Sequence, residues 1–248
     1  MIRVGVMEKV LRVPREELFR TARDLGFDGV ELELREPLER VRARSEEAGV
    51  PVCSLICDGD GLGSEETEQR LIARARLEEA VRETASLGAR GIMLPEFSLT
   101  DLSDTARVQR FGDDVRACLP LAEEQGVTIG WENALDAAST RTVLEWLDSP
   151  AFRCYYDFAN GARRGADPAA ELRELEGLVY QVHAKNLNKQ PLDAPGVDLR
   201  ACLAVLREQG YQGWIVLETA PGEDARESAR HNLRFVRGCL VHSEGAAS

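Results

Sequence analysis

Four side chains that can bind a metal ion are spaced through the second half of this 248-residue chain. They are Glu132, Asp157, His183 and Glu218, and each stands near the end of a short apolar run. Three carboxylates and one imidazole form a hard donor set without a thiolate, which suits Mn²⁺, Mg²⁺ or Co²⁺. The set therefore predicts a divalent-metal centre that favours these three ions, with Zn²⁺ as a further candidate.

Side-chain alternation predicts that the four groups point the same way. In VTIGWEN the apolar residues occupy alternate positions, which leaves Glu132 on the opposite face. In LVYQVHAKN and WIVLETA, His183 and Glu218 likewise lie on the face opposite the adjacent apolar residues. Asp157 lies on the face opposite Tyr156. Three carboxylates that share one space of low dielectric repel each other strongly unless a cation lies among them.

Each of these residues has an ordinary structural alternative when it is taken alone. A glutamate at a strand end is usually a solvated rim residue, a histidine in a strand is usually a hydrogen-bonded core residue, and Asp157 can cap the loop that follows it. The convergence of all four favours the metal centre. An octahedral ion with four protein ligands leaves two positions for adjacent oxygens of a substrate.

Eight short apolar runs alternate with segments of helical apolar spacing along the whole chain. Strand, helix and strand in regular succession imply parallel strands, and eight such units predict an α/β fold, a (β/α)8 TIM barrel, as a single domain. We expect this barrel to span residues 1–240 and to be followed by a loose tail, residues 241–248. The runs are IRVGVM (2–7), GVELEL (29–34), PVCSLIC (51–57), GIMLPEF (91–97), VTIGWEN (127–133), RCYYDFAN (153–160), LVYQVHAKN (178–186) and WIVLETA (214–220).

Composition excludes several classes of partner. The formal net charge of −12 opposes binding to nucleic acid, because a phosphate backbone requires a cationic surface. No apolar stretch approaches the roughly 20 residues that cross a bilayer, so no membrane partner is expected. The N-terminus has no hydrophobic region of a signal peptide, which predicts a cytoplasmic location.

Several segments together resemble the xylose isomerase-like TIM-barrel superfamily, in particular its sugar (phosphate) isomerases and ketose 3-epimerase-like members. The segments are GFDGVEL (26–32), LAEEQGVTIGWEN (121–133), YYDFANGARRGADP (155–168), VYQVHAKN (179–186) and GYQGWIVLE (210–218). The resemblance implies that Glu132, Asp157, His183 and Glu218 are the metal ligands. It also implies that the two glutamates form the catalytic acid–base pair.

The resemblance implies an enzyme that isomerises or epimerises a small sugar or sugar phosphate. One glutamate removes a proton between a carbonyl and a neighbouring hydroxyl carbon, giving a metal-bound cis-enediolate, and the other returns a proton. Members of this superfamily are often dimers or tetramers, so the resemblance makes a homo-oligomer one candidate, and the sequence leaves the oligomeric state open.

Four further residues are predicted to bind the substrate. Glu31 matches the acidic residue of the family's second strand, although an internal salt bridge is an equal alternative for it. Asn160 replaces a histidine that many members carry three residues after the strand-six aspartate. Lys185 and Lys189 stand where many members have an arginine soon after the strand-seven histidine.

Three other functions are alternatives to epimerisation. A metal-dependent lyase of the inosose dehydratase kind would use the same metal centre and then eliminate water. A non-catalytic sugar-binding barrel would keep the metal site without turnover. A DNA-repair nuclease of the endonuclease IV kind is disfavoured, because it needs a histidine-rich zinc cluster and a basic face.

Overall fold

The site is positioned by a closed barrel. In a computed structural model, which describes residues 2–241, eight parallel strands follow one another around the barrel in sequence order and the first pairs with the last. The predicted barrel and its strands are therefore confirmed. The strands are β1 (Arg3–Met7), β2 (Gly29–Glu33), β3 (Val52–Ile56), β4 (Gly91–Pro95), β5 (Thr128–Glu132), β6 (Phe152–Asp157), β7 (Val179–Ala184) and β8 (Trp214–Leu217).

Helices connect successive strands and cover the outside of the barrel. Gly26 and Gly126 end two of them in the left-handed conformation, with φ of 93° and 64°, and Asp198 caps another by accepting the N–H of Ala201. The helices are α1 (Glu8–Leu11), α2 (Arg15–Leu25), α3 (Leu38–Ala48), α4 (Thr67–Ser86), α5 (Thr105–Gln125), α6 (Ala137–Leu147), α7 (Phe158–Arg163), α8 (Pro168–Glu174), α9 (Leu199–Glu208) and α10 (Ala225–Val241), with a 3₁₀ helix at Leu187–Lys189.

The predicted tail, 241–248, falls outside the described residues except for Val241, which ends α10. None of the helices in the described part of the chain combines the length and the apolar character that a bilayer span requires.

The two faces of β5 show how alternation builds the barrel. Trp131 faces outward, is fully buried, and stacks on Phe152 with ring centroids 5.8 Å apart. Gly130 faces inward, where a Cβ atom would lie 3.0 Å from the Tyr155 ring and 3.1 Å from the Ile92 carbonyl oxygen. The glycine therefore leaves the barrel interior open for a tyrosine that supports the site above it.

Candidate active site

The four predicted ligands meet at the carboxyl-terminal mouth of the barrel. They stand at the ends of consecutive strands, with Glu132 on β5, Asp157 on β6, His183 on β7 and Glu218 directly after β8. One ligand atom from each side chain lies within 4.8 Å of those of the other three. The convergence predicted from alternation is confirmed, and we call these four residues the acidic cluster.

Asp157 is fixed by the start of α7. Its Oδ1 accepts the backbone N–H groups of Ala159 and Asn160, at 2.6 and 3.2 Å, so the aspartate is the N-cap of this helix. Its buried Oδ2 accepts no hydrogen bond from any described residue, and the nearest cation, Lys185 Nζ, lies 3.5 Å away. One oxygen thus holds the backbone and the other remains available to a ligand.

His183 is oriented by a carboxylate below it. Its Nε2 lies 2.7 Å from Glu31 Oε1, and neither side chain has any exposed surface. Its Nδ1 lies 3.3 Å from Glu218 Oε2 and 3.5 Å from Glu132 Oε1, yet it makes no hydrogen bond within residues 2–241. When the ring carries a single proton, on Nε2 and donated to Glu31, the Nδ1 lone pair is directed at the acidic cluster.

Glu31 belongs to a buried layer beneath the cluster. Its Oε2 accepts hydrogen bonds from Ser54 Oγ at 2.5 Å and from Tyr155 OH at 2.7 Å, and Gln181 Nε2 donates to the same serine at 3.1 Å. The side chain has no exposed surface, so a bound substrate has no direct access to it. This position differs from the predicted contact with substrate and matches the alternative of an internal ion pair, with His183 as the partner.

Two lysines hold Glu218. Lys9 Nζ donates to its Oε1 at 2.6 Å and Lys185 Nζ donates to its Oε2 at 2.7 Å. Burial by itself would raise the pKa of Glu218, but the positive charges of His183, Lys185 and Lys9 outweigh it and lower the pKa to about 2. Glu218 is therefore ionised throughout the neutral range.

The pKa values of Glu132 and His183 shift in the opposite direction, upward. Burial raises the pKa of Glu132, and the carboxylates of Asp157 and Glu218 add to the rise, although His183 opposes it. Burial tends to lower the pKa of His183, but the carboxylates of Glu31 and Glu132 raise it well above its usual value. Without a cation, Glu132 and His183 therefore bind protons more strongly than the isolated side chains would, and a metal ion would compete with those protons.

The cluster fits a divalent cation on two observations. Asp157 Oδ2 and His183 Nδ1 are buried polar atoms without a hydrogen-bond partner in the described part of the chain, and both belong to the cluster. The 4.8 Å limit on the ligand-atom separations is close to the roughly 4.2 Å between opposite ligands of an ion bound at about 2.1 Å. Carboxylate oxygens with one imidazole again suit Mn²⁺, Mg²⁺ or Co²⁺.

A cavity of about 770 Å³ opens above the cluster. Glu132, Glu218, Lys185 and Asn160 line it, together with apolar side chains such as Phe97. Asn160 Nδ2 lies 3.5 Å from Glu132 Oε1 and its Oδ1 accepts from Arg163 Nη1 at 2.8 Å. The structure thus brings two of the predicted substrate-binding residues, Asn160 and Lys185, to this cavity.

Lys189, the remaining predicted substrate-binding residue, lies in the 3₁₀ helix after β7 and lines an adjoining cavity. Sequence reasoning missed Lys9 altogether. It lies on α1, which has only four residues and follows β1 without a gap, so no apolar periodicity marks it. Its position directly after the first strand was the one available signal, because barrel sites lie at strand ends.

Comparison with known proteins is consistent with this geometry. A family model described as xylose isomerase-like TIM barrel matches residues 19–239. The chain is 30% identical over 199 residues to the 2-epi-5-epi-valiolone 7-phosphate 2-epimerase of Actinoplanes sp., covering 74% of this chain and 72% of that one. It is 25% identical over 248 residues to the 3-dehydro-D-guloside 4-epimerase of Escherichia coli, covering 90% and 94% of the two chains.

Solved structures share the fold. A structure of L-ribulose 3-epimerase superposes with a TM-score of 0.87 at 20% identity, over 97% of this chain and 95% of that one. At this identity the likeness concerns the fold alone.

Proposed function

Because the chain belongs to the xylose isomerase-like TIM-barrel family, we propose that it is a divalent-metal-dependent epimerase of a small sugar or sugar phosphate. The observation that carries the proposal is the convergence of Glu132, Asp157, His183 and Glu218 beside a cavity large enough for such a substrate. The names of two relatives, 2-epi-5-epi-valiolone 7-phosphate 2-epimerase and 3-dehydro-D-guloside 4-epimerase, support it.

The positions of the two glutamates support a role for them on different sides of one substrate carbon. Glu132 ends β5 and Glu218 follows β8, three strands further around the barrel, and both line the same cavity. We assign them as the acid–base pair: one removes the proton from a carbon next to a carbonyl, and the other delivers a proton to the opposite face. That exchange inverts the stereocentre and makes the reaction an epimerisation.

The acidic cluster would hold the metal ion, with Mn²⁺, Mg²⁺ or Co²⁺ favoured. A divalent ion there supplies Lewis acidity, which withdraws charge from a substrate carbonyl and acidifies the neighbouring C–H. Glu31 positions His183 so that Nδ1 faces the cluster, and we assign it this role in place of contact with the substrate. Asn160 and Lys185 are assigned to bind substrate hydroxyl groups, because they line the cavity beside the two glutamates.

The test is NMR in deuterated water with a panel of ketoses, ketose phosphates and inosose, using protein loaded with Mn²⁺ or Mg²⁺. We expect a change of configuration at one carbon, accompanied by deuterium at that carbon. Glu132→Gln and Glu218→Gln should each lower kcat by about 10²- to 10⁴-fold, since each removes a proton-transfer group.

The matched control is Glu176→Gln, the same change on an exposed loop residue between α8 and β7, at the opposite end of the barrel. This variant should retain full activity. Loss of water instead of epimerisation would replace the proposal with a lyase. Near-normal turnover in either active-site variant would remove the assignment of the acid–base pair.

A further inference from the structure

The second cavity at the mouth of the barrel is rich in positive charge. It has a volume of about 640 Å³, adjoins the first cavity, and shares Lys9, Arg12, Arg163, Lys185 and Glu218 with it. Its lining adds Lys189 from the loop after β7. Among the described residues that line it, five are cationic and Glu218 is the single carboxylate. We call this space the cationic cavity.

The cations divide into a neutralised pair and an unneutralised set. Lys9 and Lys185 are bound to Glu218, one on each oxygen. Within residues 2–241, by contrast, Arg12, Lys189 and Arg163 form no ion pair with a carboxylate, and the hydrogen bond of the Arg163 side chain goes to the amide oxygen of Asn160. Three unpaired cations thus surround one cavity in a chain whose formal net charge is −12.

Two of these three residues are held in an unfavourable backbone conformation. Arg12 has φ of 48° and Lys189 has φ of 59°, and they are two of the four non-glycine residues with positive φ in the described chain. The left-handed region is unfavourable for a residue with a Cβ atom. The loops after α1 and β7 therefore keep these cations at the rim of the cavity at some cost in stability.

The chemistry of the cavity favours a phosphate monoester over a simple carboxylate. A phosphate carries close to two negative charges and three acceptor oxygens, which match the combined donors of two arginines and a lysine. Thr219 also lines the cavity, and its buried hydroxyl has no hydrogen-bond partner in the described part of the chain.

The phosphate site of many barrels lies at a helix N-terminus after the last strands. Here the backbone N–H of Glu227, in the first turn of α10, is bound by the Asp224 side chain. That N–H is therefore not free to bind an anion.

We propose that this chain acts on phosphorylated substrates, and that the cationic cavity binds the phosphate group through Arg12, Arg163 and Lys189. The inference rests on the proposed epimerase function. Because Glu218 lines both cavities, one substrate molecule can place its phosphate in the second while its reacting carbon lies between the two glutamates of the first. The substrate class is the phosphate monoester of a ketose or of a cyclic polyol ketone.

The test compares matched substrate pairs, such as ribulose with ribulose 5-phosphate and fructose with fructose 6-phosphate, on the metal-loaded protein. For the active pair we expect kcat/KM to be at least about 100-fold higher for the phosphate ester. Arg12→Asn and Lys189→Asn remove one charge each and keep a residue that tolerates positive φ. Each should lower that preference about 10-fold through KM, and the effect should weaken in high salt.

Arg40→Gln is the matched control, since this exposed arginine of α3 lies outside both cavities and should leave the preference unchanged. A second readout is the binding of inorganic phosphate, measured by ³¹P NMR. The two asparagine variants should weaken this binding, and the control should not.

The outcomes separate the two proposals. If free sugars are epimerised as well as their phosphates, and the asparagine variants do not change the ratio, the phosphate inference is wrong while the epimerase assignment stands. If none of these sugars or esters turns over, and no ketose or inosose of the wider panel does so either, the epimerase assignment fails. If the affinity for inorganic phosphate is also unchanged in Arg12→Asn and Lys189→Asn, the proposed phosphate site is wrong as well.

Discussion

Glu31→Gln is the substitution that tests the layer beneath the acidic cluster. The change conserves shape and removes one negative charge from a side chain that has no exposed surface. Glu31 Oε1 faces His183 Nε2 at 2.7 Å, and Oε2 accepts from both Ser54 and Tyr155. A carboxylate can accept all three hydrogen bonds, whereas an amide offers one acceptor oxygen and one NH₂ donor.

Either orientation of the amide carries a penalty. If the amide NH₂ faces His183, Nε2 must accept instead of donate, and the proton moves to Nδ1, the atom that should bind the metal. If the amide oxygen faces His183, two hydroxyl groups must turn to accept from the NH₂, and a charge-assisted bond becomes a neutral one, which is about half as strong. We expect Mn²⁺ affinity to fall 10- to 100-fold, or about 1.4–2.7 kcal/mol, with a fold that remains intact.

The assay is a chelator-competition titration with Mn²⁺ on wild type, Glu31→Gln and the exposed control Glu176→Gln, with circular dichroism to confirm folding. The pKa of His183 is raised in the metal-free protein, so a long-range ¹H–¹⁵N spectrum is recorded at increasing pH until the ring has lost one proton, and it then reports which ring nitrogen keeps the other. A folded Glu31→Gln variant that binds Mn²⁺ as tightly as wild type and shows the wild-type tautomer would contradict this role of Glu31.

Three further predictions concern charge and packing. Lys185→Met removes a cation from Glu218, so the melting temperature of the metal-free protein should fall by about 2–4 °C for each kcal/mol of stability lost. The increase in melting temperature on adding Mn²⁺ should be larger for this variant than for wild type. Equal increases, measured by calorimetry, would contradict this prediction. The pKa values of Glu132 and His183 are raised, and a metal ligand must be deprotonated, so Mn²⁺ should bind more tightly as pH rises. Binding should release about one to two protons, which calorimetry in buffers of different ionisation enthalpy measures. The absence of proton release would be inconsistent with this prediction. Trp131→Ala leaves a cavity at a fully buried position under the outer helices, so it should lower the free energy of unfolding in urea by about 3–5 kcal/mol. A decrease below about 1 kcal/mol would contradict this prediction and would mean that neighbouring side chains fill the cavity.

The fold and the convergence of the cluster were predictable because both depend on local patterns. Alternation gives the face of each strand residue, and the repeated strand–helix plan gives the barrel. Together they placed Glu132, His183 and Glu218 on one side of their strands and at one end of the barrel, as found.

Height along the barrel axis was not predictable from the same patterns. Glu31 and Glu33 share a facing, yet Glu31 has no exposed surface and the side chain of Glu33 is 42% exposed, because the strands are tilted and staggered. Alternation cannot distinguish a residue that reaches the cavity from one that lies a layer below it. The partner that decides the role of Glu31, His183, is 152 positions away in sequence, so only the closed barrel reveals the pair.

The distribution of charge around Glu218 separates the metal centre from substrate selection. Its two lysines neutralise a carboxylate that must also face a cation, so their presence weakens metal binding by like-charge repulsion. Such a cost is retained where the same cations serve another purpose, and both lysines line the cationic cavity beside Arg12. If they help to attract a phosphorylated substrate, Lys9→Met should tighten Mn²⁺ binding and at the same time raise KM for the phosphate ester. A single variant that moves the two affinities in opposite directions would distinguish this arrangement from a purely structural ion pair, whose loss would weaken both.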